Sequence, residues 1–141
     1  MTSSDDGPGS GMGGRRPRDG GPGDVARALV EAALSGDFEA ARSYCAPDIT
    51  LTLEGIQTVS GHEGLRQLLE FNAEIATDVV IEIHHVLGSD DTAALNRTTH
   101  LTVGGKRLRV EVGSFFTLRD GLVADWTDYQ DMQNVWRALG H

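Results

Sequence analysis

Between Val79 and Tyr129 apolar residues recur at every second position, and the pattern restarts three times at short turn sequences. The runs Val79–Leu87, Thr92–Val103, Lys106–Leu118 and Leu122–Tyr129 are joined by Gly88-Ser89-Asp90-Asp91, Gly104-Gly105 and Asp120-Gly121. A period of two is the geometry of a strand, with alternate side chains on opposite faces. Connections this short leave room only for antiparallel neighbours. Four consecutive strands therefore make a meander, and any fold for this chain must be built around it.

The alternation also places charges where apolar residues are expected. In the second run Arg97 and Thr99 share a face with Ala93, Leu95, Leu101 and Val103. In the last run Asp128 shares a face with Leu122, Ala124 and Trp126. A buried ion costs several kcal/mol unless it is paired. The spacing thus predicts that Arg97 and Asp128 meet in a polar pocket inside the fold, as a structural ion pair or as part of a small-molecule site. The same reasoning turns Val79, Ile81, Ile83, His85 and Leu87 inward from the first run. From the third it turns Leu108, Val110, Val112, Ser114, Phe116 and Leu118 inward. His85 and Ser114 join the polar set, either against a ligand or hydrogen-bonded within the core. The opposite face carries Glu82, His84, Asn96, His100, Arg109, Glu111 and Asp125, interrupted by Phe115, Val123 and Tyr129. An apolar interruption on a polar face is a candidate dimer contact.

Upstream the period is helical. Asp24 is a candidate N-cap for a helix carrying Val25, Leu29, Ala32 and Ala33 on one stripe. Ser35-Gly36-Asp37 breaks it, and Phe38–Tyr44 forms a second short helix that Pro47 halts. Ile49–Leu53 alternates with threonine and reads as a strand. Ser60 with Glu63 has the form of a capping box ahead of Leu65, Leu68, Leu69, Asn72 and Ala76. Asp131–Leu139 reads as a closing helix. Helices first and strands after describe an α+β fold with helices packed on one sheet face.

Composition bounds the rest. Residues 1–23 hold three of the four prolines and eight of the eighteen glycines, with almost no large apolar side chain. They are expected to form a disordered tail ahead of one domain over 24–141. Its acids and arginines cancel, so the net charge of −9 belongs to the domain. An acidic body repels phosphate backbones, which argues against nucleic acid and anionic membrane surfaces. No run is long enough to span a bilayer, and the tail lacks the apolar stretch of a secretory signal. Cys45 is the only cysteine, which points to a reducing, cytoplasmic setting; at a helix end it reads as a small buried hydrophobe rather than a nucleophile. Metal is not expected, since His84 and His85 are strand neighbours that should face opposite ways. No phosphate-loop, dinucleotide or nucleophile-elbow motif is present.

The order of helices, strand, helix and four-strand meander resembles the NTF2-like cone, in its SnoaL-like and limonene-epoxide-hydrolase-like branch, over about residues 24–135. The segments that carry the resemblance are Tyr44-Cys45-Ala46-Pro47-Asp48, Ser60-Gly61-His62-Glu63-Gly64-Leu65, Arg119-Asp120-Gly121-Leu122-Val123 and Trp126-Thr127-Asp128-Tyr129-Gln130-Asp131. The resemblance implies helices packed on a curved antiparallel sheet that encloses a pocket. It matches Arg97 and Asp128 to the arginine and second acid of the epoxide hydrolases' Asp-Arg-Asp set. Thr99 stands where the first acid would be, and Leu51 and Leu53 stand where those enzymes hold water with a tyrosine and an asparagine. A catalytic aspartate of ketosteroid isomerases would also fall near Leu53. Threonine cannot act as a general base near neutral pH. The implied function is natural-product tailoring of a hydrophobic polyketide-like intermediate, by cyclisation or epoxide opening and without a cofactor. Catalysis falls to Asp128 and Arg97, with His85, Thr99, Ser114, Trp126, Leu51, Leu53 and Phe116 around the substrate. A non-catalytic carrier and an interaction-type homodimer joined by the outer sheet face are the alternatives. Ala, Gly, Arg and Asp richness resembles actinobacterial coding, where such proteins sit in polyketide clusters, enediyne ones included.

Overall fold

The computed structural model describes residues 21–140. The tail expected over 1–23 lies outside them except for its last three residues, which belong to the first helix and its cap. In chain order the elements are α1 (Pro22–Leu34), α2 (Phe38–Ser43), β1 (Cys45–Leu53), β2 (Gln57–Ser60) and α3 (Gly61–Ile75). They continue with β3 (Thr77–Ser89), β4 (Thr92–Val103), β5 (Lys106–Arg119), β6 (Leu122–Gln130) and α4 (Gln133–Ala138). The strands form one open sheet in the order β2-β1-β6-β5-β4-β3. All neighbours are antiparallel except β1 and β6, which run parallel.

Local chemistry explains most boundaries. α1 opens at Pro22 with Gly21 as its cap, three residues ahead of the expected start, because proline's fixed φ suits the first helical turn and its missing N–H costs nothing there. Asp24 then lies in that turn, where its charge favours the helix N-terminus. Asp37 caps α2 by accepting from Ala40 N at 3.0 Å. Ser60 precedes α3 as expected, but its side chain makes no capping bond, so the capping box is not formed. α3 lies so close on β2 that a Cβ at Gly64 would stand 3.1 Å from Val59 Cβ. The β4–β5 and β5–β6 turns each place two successive residues at positive φ, Gly104-Gly105 and Asp120-Gly121, the backbone of a tight hairpin.

Two of the sheet's register shifts redirect side chains whose facing the alternation had assigned. Ile83 pairs with Arg97 but His85 pairs with Asn96, so β3 carries one extra residue at His84. Beyond it the faces invert. The expectation that His85 and Leu87 point inward is therefore corrected: His85 is exposed and bonds Asn96 Oδ1 from Nδ1 at 3.0 Å, while Leu87 is 69% exposed. Both histidines lie on the outer face, so their adjacency does not separate them as a regular strand would; their rings are instead engaged by Thr98 and Asn96. A second extra residue, Ala124, lies between the Thr117–Asp125 and Leu118–Val123 pairs. Val123 is consequently fully buried, not part of the outer apolar patch, which keeps Phe115 and Tyr129.

The main core joins α1 (Val25, Leu29, Val30) and α3 (Leu65, Leu69) to Ile49, Leu95, Phe116 and Trp126 of the sheet. A smaller cluster of Val103, Val110, Val112 and Val135 seats α4. Between the two the concave sheet face is left uncovered, and a cavity opens there. Among the described residues no helix is long and apolar enough to cross a membrane.

Candidate functional site

Arg97 lies on β4 and Asp128 on β6, with β5 between them. Adjacent strands are about 4.8 Å apart, so the two backbones are separated by roughly twice that. Ser114 of β5 pairs directly with Asp128 on one side and with Leu95 on the other. Its small side chain leaves a saddle across which the long arginine reaches the carboxylate. Arg97 Nη2 lies 3.1 Å from Asp128 Oδ2. Ser114 Oγ bridges the pair: it accepts from Arg97 Nη1 at 2.7 Å and donates to Asp128 Oδ1 at 2.5 Å. Trp126, two residues before Asp128 and so on the same face, donates its indole N–H to Oδ1 at 2.6 Å. Arg97 Nε donates to Thr99 Oγ1 at 3.3 Å.

All five residues are buried; Arg97 is 3% and Asp128 7% exposed. Because guanidinium and indole N–H groups can only donate, Asp128 is an acceptor in these contacts. Its Oδ1 is occupied by two donors and its Oδ2 by one, so Oδ2 keeps the greater accepting capacity. The ion pair is neutral overall, which is the condition under which a charge can stay buried.

The pair forms the polar base of a cavity of about 730 Å³. Its walls are mostly apolar, with Leu51, Leu53, Leu69, Leu101, Val110 and Trp126 among them. Thr99, Arg97 and Asp128 also line it. Of the other expected site residues, Ser114 and Phe116 lie behind the lining: Ser114 holds Asp128, and the Phe116 ring packs on Trp126 with centroids 5.6 Å apart. His85 is away from the cavity on the outer face. The hydroxyls of Thr99 and Ser114 bond the ion pair. Residues not anticipated as lining include Asn72, Gln130, Met132, Val135 and Trp136. Asn72 had a signal, since it falls on the inward stripe of α3. The last three belong to the closing segment, whose position no local pattern specifies.

Among the described residues, the seven exposed large hydrophobics divide between two places. Ile56, Phe71 and Val79 rim the cavity. Val80, Leu87, Phe115 and Tyr129 lie on the outer sheet face, where Phe115 and Tyr129 make an edge-to-face contact at 5.6 Å. That face also carries a polar chain. His84 Nε2 lies 2.7 Å from Thr98 Oγ1, which donates to Glu111 Oε1 at 2.7 Å, and His100 Nε2 lies 2.7 Å from Glu82 Oε1. Cys45 is buried with its thiol pushed up to about 12 by burial, so it is no thiolate nucleophile.

A family model for the SnoaL-like domain matches residues 26–126. Epoxide hydrolase EphG of Mycobacterium tuberculosis is 26% identical over 114 residues, covering 79% of this chain and 74% of that protein. An NTF2-like protein from Burkholderia pseudomallei superimposes with a TM-score of 0.77 at 15% identity, over 90% of this chain and 100% of the other. A protein from Shewanella denitrificans, provisionally designated a SnoaL-like polyketide cyclase, superimposes with a TM-score of 0.72 at 13% identity, over 89% and 98% of the two chains. The NTF2-like fold expected from the order of elements is the one observed.

Proposed function

The chain belongs to the family of SnoaL-like domains, and on that premise we propose that it binds a bulky apolar intermediate in the cavity and rearranges it by acid–base chemistry at Asp128. The single observation that carries this reading is the neutral Arg97–Asp128 pair buried in the wall of a mostly apolar cavity. Burying such a pair is seldom the most stable solution, so its presence where a ligand fits favours a chemical role.

The surroundings favour one type of reaction. Addition of water needs a group to hold the water as well as one to deprotonate it. At the positions matched to the water-holding residues of the epoxide hydrolases, Leu51 and Leu53 are apolar, and Thr99, in place of the first acid, is no base. One carboxylate that takes a proton and returns it suits a net isomerisation. Asp128 Oδ2 accepts the proton of a substrate hydroxyl, and the oxygen attacks an electrophilic carbon of the same molecule. For an epoxide, the ring C–O bond breaks as the new C–O bond forms, and the released oxygen takes the proton back from Asp128. Arg97 offsets the charge on the departing oxygen. The similarity to epoxide hydrolase EphG and to a designated polyketide cyclase supports a substrate of this class.

The test uses 5-phenyl-4,5-epoxypentan-1-ol in water enriched in ¹⁸O. The expected product is an isomeric cyclic ether without label, and Asp128→Asn abolishes its formation while ligand affinity stays within a few fold. Unchanged product formation by that variant would falsify the assignment of Asp128 as base, and a labelled diol would reassign the reaction to hydrolysis. The greasy positions Leu51 and Leu53 also favour a second reading, a carrier that holds an unstable intermediate without changing it; binding with no turnover of any such probe is its signature. In either case a second copy of the chain covers Phe115 and Tyr129 on the outer face, and the reducing cytoplasm is the compartment that a lone buried cysteine suits.

A further inference from the structure

We propose that residues 71–79, the overhanging end of α3 and the bulged start of β3, form a lid over the cavity, and that Arg107 latches it from the outer face of the sheet. The lid rests on the reading that the cavity takes up a ligand, and supplies the route by which that ligand enters.

The two halves of α3 differ in what supports them. Gly64, Leu65 and Leu69 are buried, and the helix rests on α2, β1 and β2. From Glu70 to Val80 no residue is buried, although Phe71, Asn72, Ile75, Asp78 and Val79 all line the cavity. A run that walls a cavity without burying a residue has little packing to hold it shut, and such segments open at low free energy. Ala76 N donates to Asn72 O at 3.0 Å, so the last helical turn is intact and can swing as one piece.

The joint lies just beyond. Thr77 pairs with Thr102 and Val80 with His100, so Asp78 and Val79 together oppose the single residue Leu101. That is a bulge, which bends the strand and leaves one residue out of the ladder. Asp78 takes φ 52, in the left-handed region that aspartate enters more readily than most residues. Arg107 of β5 fixes this joint: its Nη1 donates to Asp78 O at 2.6 Å and to Thr102 Oγ1 at 3.1 Å. Alternation along β5 puts Arg107 with Arg109 and Glu111 on the outer face, away from Arg97 and Asp128. The bond crosses β4 to reach β3, is charge-assisted, and is exposed to water. It can therefore break and re-form without disturbing the buried ion pair.

A latch has a kinetic signature that a ligand contact lacks. Its bond is made whenever the lid is closed, with or without ligand, and is lost when the lid opens. Removing it eases opening from both states, so association and dissociation quicken by the same factor and Kd does not move. Stopped-flow fluorescence with N-phenyl-1-naphthylamine, an uncharged dye that brightens in apolar surroundings, tests this. Arg107→Met is expected to raise both rate constants about 5- to 20-fold while Kd stays within about twofold. One nitrogen makes both bonds, so Arg107→Lys, which keeps a charged donor, should return both rates to within about threefold of wild type. Hydrogen exchange should quicken at the amides of 72–79 in Arg107→Met and not along β4 and β5. Unchanged rates, or a Kd that shifts through dissociation alone, overturn the lid, and so does a wild type that takes up no dye. Should Arg107→Met fail to fold, wild type decides: the dye must slow exchange at 72–79, and unaltered exchange there refutes the lid. The dye has no hydroxyl or epoxide, so Asp128→Asn can fail in the cyclic-ether assay while the lid kinetics hold, and the reverse.

Discussion

Arg97→Met removes the charge, keeps an unbranched side chain of similar length, and withdraws three hydrogen bonds at once: to Asp128, Ser114 and Thr99. The loss does not stop at those bonds. Asp128, 7% exposed, keeps Ser114 and Trp126 but loses its counter-charge. Breaking a buried pair from one side costs about 3–5 kcal/mol. For a domain of this size each kcal/mol lowers the melting temperature by roughly 4 °C, so Arg97→Met should melt about 12–20 °C below wild type. The double variant Arg97→Met with Asp128→Leu removes both charges and should recover most of that loss, because an apolar replacement of a buried pair is often near neutral. Calorimetric or circular-dichroism melts of wild type, both single variants and the double variant close the cycle. A single variant within about 2 °C of wild type, or a double variant whose losses simply add, would refute the reasoning, since either result means that the two charges are not coupled.

Three further outcomes follow from other parts of the molecule. The Glu111 carboxyl is held below its usual 4.5 by the hydrogen bond from Thr98 first and that from Arg109 next; its stabilising effect is present above that usual value and is lost as pH falls through the lower folded one, so Glu111→Gln should show a smaller drop in melting temperature between about pH 6 and about pH 3. Cys45, buried with its thiol at about 12, should react with a disulfide reagent at pH 8 only after denaturant is added. Tyr129→Glu places a charge in the Phe115–Tyr129 patch and should shift the mass measured by light scattering from dimer to monomer without lowering the melting temperature of the monomer; a wild type that is monomeric at all concentrations removes the proposed interface.

The sequence exposes the ion pair because alternation is a strong signal over long strands. β4 runs from Thr92 to Val103 without interruption, and Arg97 falls on the inward face with no ambiguity. Ser114 and Trp126 follow by the same count, although that count does not reveal that they hold Asp128 from behind. The same rule misplaces His85 and Val123, since a bulge adds one residue to the strand and inverts every face beyond it, with nothing at His84 or Ala124 to announce it. β2, four residues long, is too short to show a period. The parallel pairing of β1 with β6 joins segments more than seventy residues apart, as Cys45 with Val123, and no turn between them records it. The cavity's closing wall at Met132, Val135 and Trp136 escapes for the same reason.

The Ser114 saddle has an effect on how such a cavity can change over evolutionary time. Arg97, Ser114 and Asp128 stitch three adjacent strands together, so the floor of the hollow is stiff and any alteration there is felt by the whole sheet. The lip is another matter: Ile56 comes from a turn, Phe71 from a helix and Val79 from a strand end, each replaceable alone. A scaffold divided this way can acquire new guests by editing its rim while the chemistry beneath stays in register.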